Sequence, residues 1–129
     1  MLCLGLMSGT SADGVDAVLA DFRGGAERPR WRLIRHQHCP YPEDLQHQLV
    51  TAGQGTPLTA GAWLELAEAV TEAQAAAAWA CDPDSRAELV GCHGQTLWHR
   101  PPANGRRGAS WQVLQGPLLA RLLERAVVH

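Results

Sequence analysis

Two apolar runs near the start of the chain, Leu2 to Met7 and Val15 to Phe22, most constrain its fold. Both read as strands, so the chain reverses between them. The connecting residues are unusual for a simple reversal. Ser8, Thr10 and Ser11 bring hydroxyls, Gly9 and Gly14 bring bare backbone, and Asp13 brings a carboxylate. A loop that only turns a hairpin needs about two to five residues. This one is longer, and no bulky side chain screens its N–H groups. Successive N–H groups of that kind form a concavity that holds anions such as phosphate.

Further along, Arg23-Gly24-Gly25-Ala26-Glu27 reads as a turn. Trp31–His38 alternates and predicts a third strand, with Trp31, Leu33 and Arg35 opposing Arg32, Ile34 and His36. Three strands joined by short loops form an antiparallel meander. Pro42 to Val50 predicts a short amphipathic helix, broken at Gly53-Gln54-Gly55-Thr56-Pro57. Thr59 is placed to cap a long helix running to about Ala80. On it Trp63, Leu66, Val70, Ala73, Ala77 and Ala80 make one apolar stripe, and Asp82-Pro83-Asp84 ends it. Glu88–Cys92 reads as a buried strand that empties into a His93-Gly94-Gln95-Thr96 loop. Trp98 to Gly108 reads as a surface loop, Pro117 opens a last helix, and Ala126–His129 starts a further strand. In that helix Leu118, Leu119, Leu122 and Leu123 face inward. The class is α/β: a three-strand meander followed by alternating helices and strands. A final strand of four residues with nothing after it points to a fragment or truncated gene. An unpaired sheet edge and uncovered apolar surface there favour aggregation or a homodimer.

Composition narrows the chemistry. The 129 residues suit one domain or part of a larger one. A net charge of -2 offers no attraction for nucleic acid or an anionic membrane. All 11 basic residues are arginines, so a Walker phosphate loop, a lysine Schiff base and a lysine general base are excluded within the chain. Cys3, Cys39, Cys81 and Cys92 show no C-x-x-C spacing and read as buried free thiols of a reducing compartment. The N-terminus has no basic segment ahead of its short apolar run, so it reads as neither signal peptide nor membrane span. A cytoplasmic location is the expectation.

In the first loop, Gly9 and Gly14 allow close backbone approach to a ligand. Two like charges at about 4 Å and an effective dielectric of about 20 repel by about 4 kcal/mol. Asp13 beside phosphates therefore points away or needs a cation between them, and Mg²⁺ held partly through water is the natural mediator. Asp16, at the start of a strand, is also suited to satisfying backbone donors. A polar hairpin loop with Asx and Ser turns explains the same residues, and the glycine spacing matches neither G-x-G-x-x-G nor Walker A. In the second block, Gln95 and Thr96 suit sugar hydroxyls or an acetamido group, Trp98 a sugar face, and His93 an acid, base or orienting donor. From spacing alone, His93 reads first as a satisfied hydrogen-bonding histidine near the core. Zinc at His93 and His99 lacks further ligands. His36 and His38 share a strand face and read as solvated, as do the arginines of the 100–107 loop.

Together, Gly5-Leu6-Met7-Ser8-Gly9-Thr10-Ser11-Ala12-Asp13-Gly14-Val15-Asp16 and Gly91-Cys92-His93-Gly94-Gln95-Thr96-Leu97-Trp98-His99-Arg100-Pro101 resemble the signatures of the anhydro-N-acetylmuramic acid kinases. The spacing from Trp111-Gln112-Val113 to Val127-Val128 aligns as well. The resemblance implies an actin-like ATPase with a ribonuclease-H-like core, of which residues 1–129 are the N-terminal part of the nucleotide-binding domain. It implies conversion of 1,6-anhydro-N-acetylmuramic acid, ATP and water to N-acetylmuramate 6-phosphate and ADP in cell-wall recycling. Residues Gly9, Thr10, Ser11, Ala12, Asp13, Gly14, Val15 and Asp16 would then bind ATP phosphates, with Mg²⁺ near Asp13 through water. His93, Gln95 and Thr96 would face the amino sugar. Leu114-Gln115 stand where the family usually has Gly-Asp, and Ala12 replaces a commoner Leu. The family's glycine-rich segment, catalytic aspartate and second domain lie beyond position 129. A non-catalytic remnant of the same fold and a kinase for another amino sugar are the alternatives.

Overall fold

The computed structural model describes residues 1–129. Strand β1 (Leu2–Ser8) turns Leu4, Leu6 and Ser8 inward and Cys3, Gly5 and Met7 outward. Strand β2 (Gly14–Arg23) runs back antiparallel to it, from Met7 opposite Asp16 to Leu2 opposite Asp21, and buries Val15, Ala17 and Leu19. Strand β3 (Arg30–Pro40) completes the meander against β2. Helix α1 (Glu43–Gly53) starts after Pro42, whose fixed φ suits a helix entry, with Glu43 and Asp44 complementing the dipole. Helix α2 (Ala60–Cys81) is capped by Thr59, whose hydroxyl accepts from the Ala62 N–H at 3.2 Å. Strand β4 (Leu89–Arg100), β5 (Ala109–Val113), helix α3 (Gly116–Leu123) and β6 (Ala126–Val128) follow.

The sheet order is β3-β2-β1-β4-β5, and β6 also pairs with β4. Strand β4 is long enough to serve different partners along its length. Its first half lies parallel to β1 on one side and to β6 on the other; its second half pairs antiparallel with β5. Helix α2 packs across β1 to β4, and α1 and α3 pack against α2. All the helices thus cover one face, over a core that includes Leu19, Val70, Val90 and Leu119. The meander, both N-terminal helices, the Pro117 helix start and the last strand match the sequence reading. No helix is long and apolar enough to cross a membrane. All four cysteines are free, with Cys81 and Cys92 buried and Cys3 and Cys39 half-buried.

Four expectations are corrected. Strand β4 does not stop at Cys92: His93 to Thr96 continue it to Arg100, because β5 takes up its free edge where β1 ends. The surface loop shrinks to residues 101–108, since Trp98–Arg100 and Ala109–Val113 pair as strands. In β3 the register shifts at Ile34, so Leu33 pairs with Ala20 but Arg35 with Leu19. That places Leu33 and Arg35 on opposite faces rather than together. On α2 the buried face follows Leu66, Val70, Gln74, Ala77, Ala78 and Cys81, while Ala80 is exposed. Two polar residues, Thr71 and Gln74, occupy that face because each finds a hydrogen-bond partner inside.

Candidate functional site

The β1–β2 loop, Gly9 to Asp13, sits where β1 and the middle of β4 come together. Ser8 pairs with Gln95 across the two strands after a register shift. Gln95 is fully buried beneath the loop. Its amide nitrogen donates to the Gly9 carbonyl at 2.7 Å and to the Thr96 carbonyl at 2.9 Å. The Ser8 hydroxyl lies 2.6 Å from both the Gln95 Oε1 and the Gly14 carbonyl oxygen. Its single proton serves one of them at a time. One buried side chain on β4 thus holds the start of the loop, and the Ser8 hydroxyl reaches across to its far end at Gly14. The Asp13 carbonyl is tied a third way, by the Tyr41 N–H at 3.2 Å.

Above this base the loop bends sharply. The Ala12 N–H donates to the Gly9 carbonyl at 3.2 Å, and Ala12 takes a φ of 50° with its methyl buried. A left-handed residue costs a non-glycine about 1–2 kcal/mol, held here by the hydrogen bond and the buried methyl. Such a bend turns neighbouring N–H groups toward a common point. Those of Thr10 and Ser11 have no partner within the chain, and both residues are exposed. At Gly9 an added Cβ would meet only the Ser11 hydroxyl, at 4.0 Å, so the glycine leaves space that the fold itself does not need. Gly14 differs. A Cβ there would stand 2.4 Å from the Cys39 carbonyl oxygen, so Gly14 serves the packing of β3 rather than ligand approach.

The carboxylates of the block separate. Asp13 is exposed at the loop, with Oδ1 accepting from the Ser11 hydroxyl at 2.9 Å. Asp16 projects from β2 on the helix-free face. His36 Nε2 lies 2.9 Å and His38 Nδ1 3.3 Å from its Oδ1. The His36 hydrogen bond, more than the weaker His38 one, holds the Asp16 carboxyl below its ordinary value. The two histidines are exposed, as read from the sequence, but they partner Asp16 rather than water alone. Asp16 in turn has side-chain partners instead of backbone donors.

Of His93, Gly94, Gln95 and Thr96, only His93 is exposed. Gly94 has a φ of 74°, and a Cβ there would meet the Val113 carbonyl at 2.9 Å, so that glycine serves the strand crossing. Thr96 is buried in the ladder opposite Gln112. Trp98 is exposed beside Trp111, which lies opposite it across the strands. Trp111 packs against Trp63 with ring centroids 4.8 Å apart and planes tilted by 45°, and the three rings line a cleft of about 370 Å³ with Pro57 and Leu58.

Sequence reasoning missed Tyr41 and Gln74. Gln74 donates to the Tyr41 hydroxyl at 3.4 Å, and the Cys92 thiol donates to Gln74 Oε1 at 3.7 Å. Through the Tyr41 N–H, which donates to the Asp13 carbonyl, a buried polar column runs from α2 to the loop. Burial pushes the Tyr41 phenol up and the Cys92 thiol up to about 11, so both stay neutral at physiological pH. The signals were the lone tyrosine flanked by Pro40 and Pro42, and a glutamine interrupting an alanine run.

A three-strand meander, a parallel β4 and a donor-lined loop on β1 define a half-domain of the actin-like ATPase class. The family model for anhydro-N-acetylmuramic acid kinase matches residues 1–129, and the chain belongs to that family. Proteins named anhydro-N-acetylmuramic acid kinase are similar along its whole length. That of Synechococcus sp. strain CC9902 is 71% identical over 129 residues, and that of strain CC9605 70%. That of Prochlorococcus marinus strain MIT 9303 is 62% identical. In each case the match covers 100% of this chain and 34% of the relative, so the chain spans about a third of their length.

Proposed function

We propose that these residues form the N-terminal part of the nucleotide-binding domain of an ATP-dependent kinase acting on 1,6-anhydro-N-acetylmuramic acid. The reaction is phosphoryl transfer to O6 with hydrolytic opening of the anhydro ring, giving N-acetylmuramate 6-phosphate and ADP. One observation carries the reading: a bend with two unpartnered N–H groups and an unfilled glycine, held from beneath by a fully buried glutamine.

Phosphoryl transfer asks the protein for positioning and charge stabilisation rather than covalent chemistry. In this reading the N–H groups of Thr10 and Ser11, with their hydroxyls, hold phosphate oxygens. Gly9 lets the phosphate approach, and Ala12 holds the bend. Gly14 and Val15 anchor the loop to the sheet, and Asp16 keeps its charge on the far face through His36 and His38. Gln95 acts as a positioning residue, because its amide is spent on Ser8, Gly9 and Thr96. Thr96 supports it, and His93 is the exposed donor or acceptor on the sugar side. No three His, Cys, Asp or Glu side chains gather into a metal cage. The donor set therefore fits Mg²⁺ held by phosphates, water and the exposed Asp13. Bound there, Mg²⁺ would neutralise phosphate charge.

The test grafts this chain in place of the matching third of the Synechococcus CC9902 relative and follows ADP release. Turnover is expected to require both Mg-ATP and the anhydro sugar. Gly9→Val should lower kcat/KM for ATP about 100-fold, the scale of one lost charge-stabilising donor. The 129 residues alone should bind Mg-ATP without turning over. Unchanged activity in Gly9→Val would overturn the phosphate role. ADP release indifferent to the anhydro sugar would overturn the substrate.

A further inference from the structure

Strand β3 forms one edge of the sheet, and its outer side is bare. It pairs with β2 alone. At 11 residues it is about twice the usual strand length, and every residue from Arg30 to His38 is exposed. Alternate N–H and C=O groups of an edge strand point away from its neighbour, ready to pair with another chain. None of the backbone hydrogen bonds made outside the strands and helices involves Arg30 to Pro40.

The two sides of this edge differ in kind. Residues paired across β2 and β3 share a face. Arg30, Arg32 and Arg35 pair with Arg23, Asp21 and Leu19 on the helix side, while Trp31 and Leu33 pair with Phe22 and Ala20 on the helix-free side. The arginine row lacks acids of its own. Asp21, opposite Arg32, is taken by Arg23 at 2.8 Å, and Arg30, Arg32 and Arg35 make no ion pair within the chain. Five of the 11 arginines fall between positions 23 and 35, beside the single acid Glu27, in a chain whose net charge is -2. Arg23, Arg30 and Arg32 flank a cleft of about 350 Å³, and a guanidinium there can take a carboxylate in two parallel hydrogen bonds. On the other side Trp31 and Leu33 are each more than half exposed.

That register specifies a visitor. A strand laid along β3 would meet arginine at one residue and tryptophan or leucine at the next. Main-chain hydrogen bonds would hold it, and its alternate side chains would select it. Acidic residues alternating with apolar ones suit both rows. A second copy of this chain does not. A twofold axis normal to the sheet keeps each face on its own side, so arginine row would meet arginine row, and like charges opposite each other in a ladder are destabilising. The charges that repel a like edge attract an acidic one.

We propose that the β3 edge is a docking site for an acidic, extended segment of a partner protein, added to the sheet as a further strand. Its carboxylates lie on Arg30, Arg32 and Arg35, and its apolar residues lie on Trp31 and Leu33. Nothing in this proposal depends on the kinase reading.

The test uses this chain grafted into the Synechococcus CC9902 relative, with three short fluorescent peptides. One alternates glutamate with valine, one alternates lysine with valine, and one carries the glutamates and valines in separate blocks. Anisotropy should show saturable binding of the alternating glutamate peptide, with the other two at least about tenfold weaker. That peptide should slow hydrogen exchange across Arg30–Pro40. Reversing two charges, Arg30→Glu with Arg32→Glu, should weaken the glutamate peptide at least about tenfold and strengthen the lysine one. The thermal midpoint should hold, since both side chains are exposed. Absent binding of the glutamate peptide would overturn the proposal, and so would a block peptide that binds equally well, which needs only charge. Amides of β3 already protected in the free graft would give the edge to the rest of the polypeptide. Protection that grows with protein concentration would give it to a second copy. Either result overturns the proposal.

Discussion

One sheet presents two unlike faces built from alternate residues of the same strands. On β1 and β2 the inward set is Leu4, Leu6, Ser8, Val15, Ala17 and Leu19, every member buried. The outward set is Cys3, Gly5, Met7, Asp16, Val18 and Ala20, and of these only Ala20 is buried. Adjacent residues thus live in different solvents. The covered face keeps a thiol, a phenol and two amides in a closed polar column that holds the loop. The open face keeps a carboxylate hydrogen-bonded to two histidines in water and a pair of glycines with almost nothing upon them. Stability and loop geometry belong to the first face, and the second is left open.

Neighbouring truncations sharpen this contrast most. Leu19→Ala empties a site with no exposure and should cost about 3 kcal/mol. Val18→Ala, the next residue, should change stability by no more than about 0.5 kcal/mol. Urea titrations of both variants check it, and equal effects would break the distinction between faces. Next comes Gln95→Ala, which strips partners from the Gly9 carbonyl and the Ser8 hydroxyl. It should cost about 2 kcal/mol and speed amide exchange across Gly9–Asp13. Loss of stability without faster exchange would mean the loop does not depend on its buried clamp.

The faces should also titrate differently. Burial raises the Cys92 thiol from 9.0 to about 11, so between those values the unfolded chain has lost a proton that the folded chain keeps. Stability should therefore fall as pH rises through that window, with a limiting slope of about 1.4 kcal/mol per pH unit. Cys92→Ala should remove its share of the slope. Asp16 has the opposite sign and a smaller effect. Its carboxyl is lowered from 3.8, chiefly by the His36 hydrogen bond, so its contribution is present above that value and fades as pH falls through the folded one. The groups are half-exposed and solvent-screened, so NMR titration is the measurement. His36→Gln should move the Asp16 carboxyl back up with little change in stability; an unmoved carboxyl would show that His36 is not its partner.

Much of this was legible in the residues. Apolar runs placed the first two strands and alternation the third, Thr59 and Pro117 marked helix starts, and the unscreened Gly9–Asp13 loop stood out because small polar residues replaced a simple turn. Strand β4 was not legible past Cys92, because His93-Gly94-Gln95-Thr96 read as a ligand-contacting loop at a strand end. A strand with a glycine at φ 74° persists only when a partner holds it, and that partner, β5, carried no strand signal of its own. The role of Gln95 was hidden for a related reason. A neutral amide suits a ligand or a buried clamp equally, and only its position beneath the loop distinguishes them.

The sequence by itself determined the local chemistry: which segments alternate, where helices begin, and which loop has free donors and little side-chain bulk. These follow from nearest-neighbour sterics and periodicity, which act over a few residues. Tertiary structure alone decided that Gly14 serves β3 while Gly9 is free, that Gln95 holds the loop, and that one face of the sheet is left open at Gly5 and Gly91. Each of these depends on what lies opposite a residue at long sequence separation, as with Gly5 and Gly91, and strand pairing sets that only once the chain has closed upon itself.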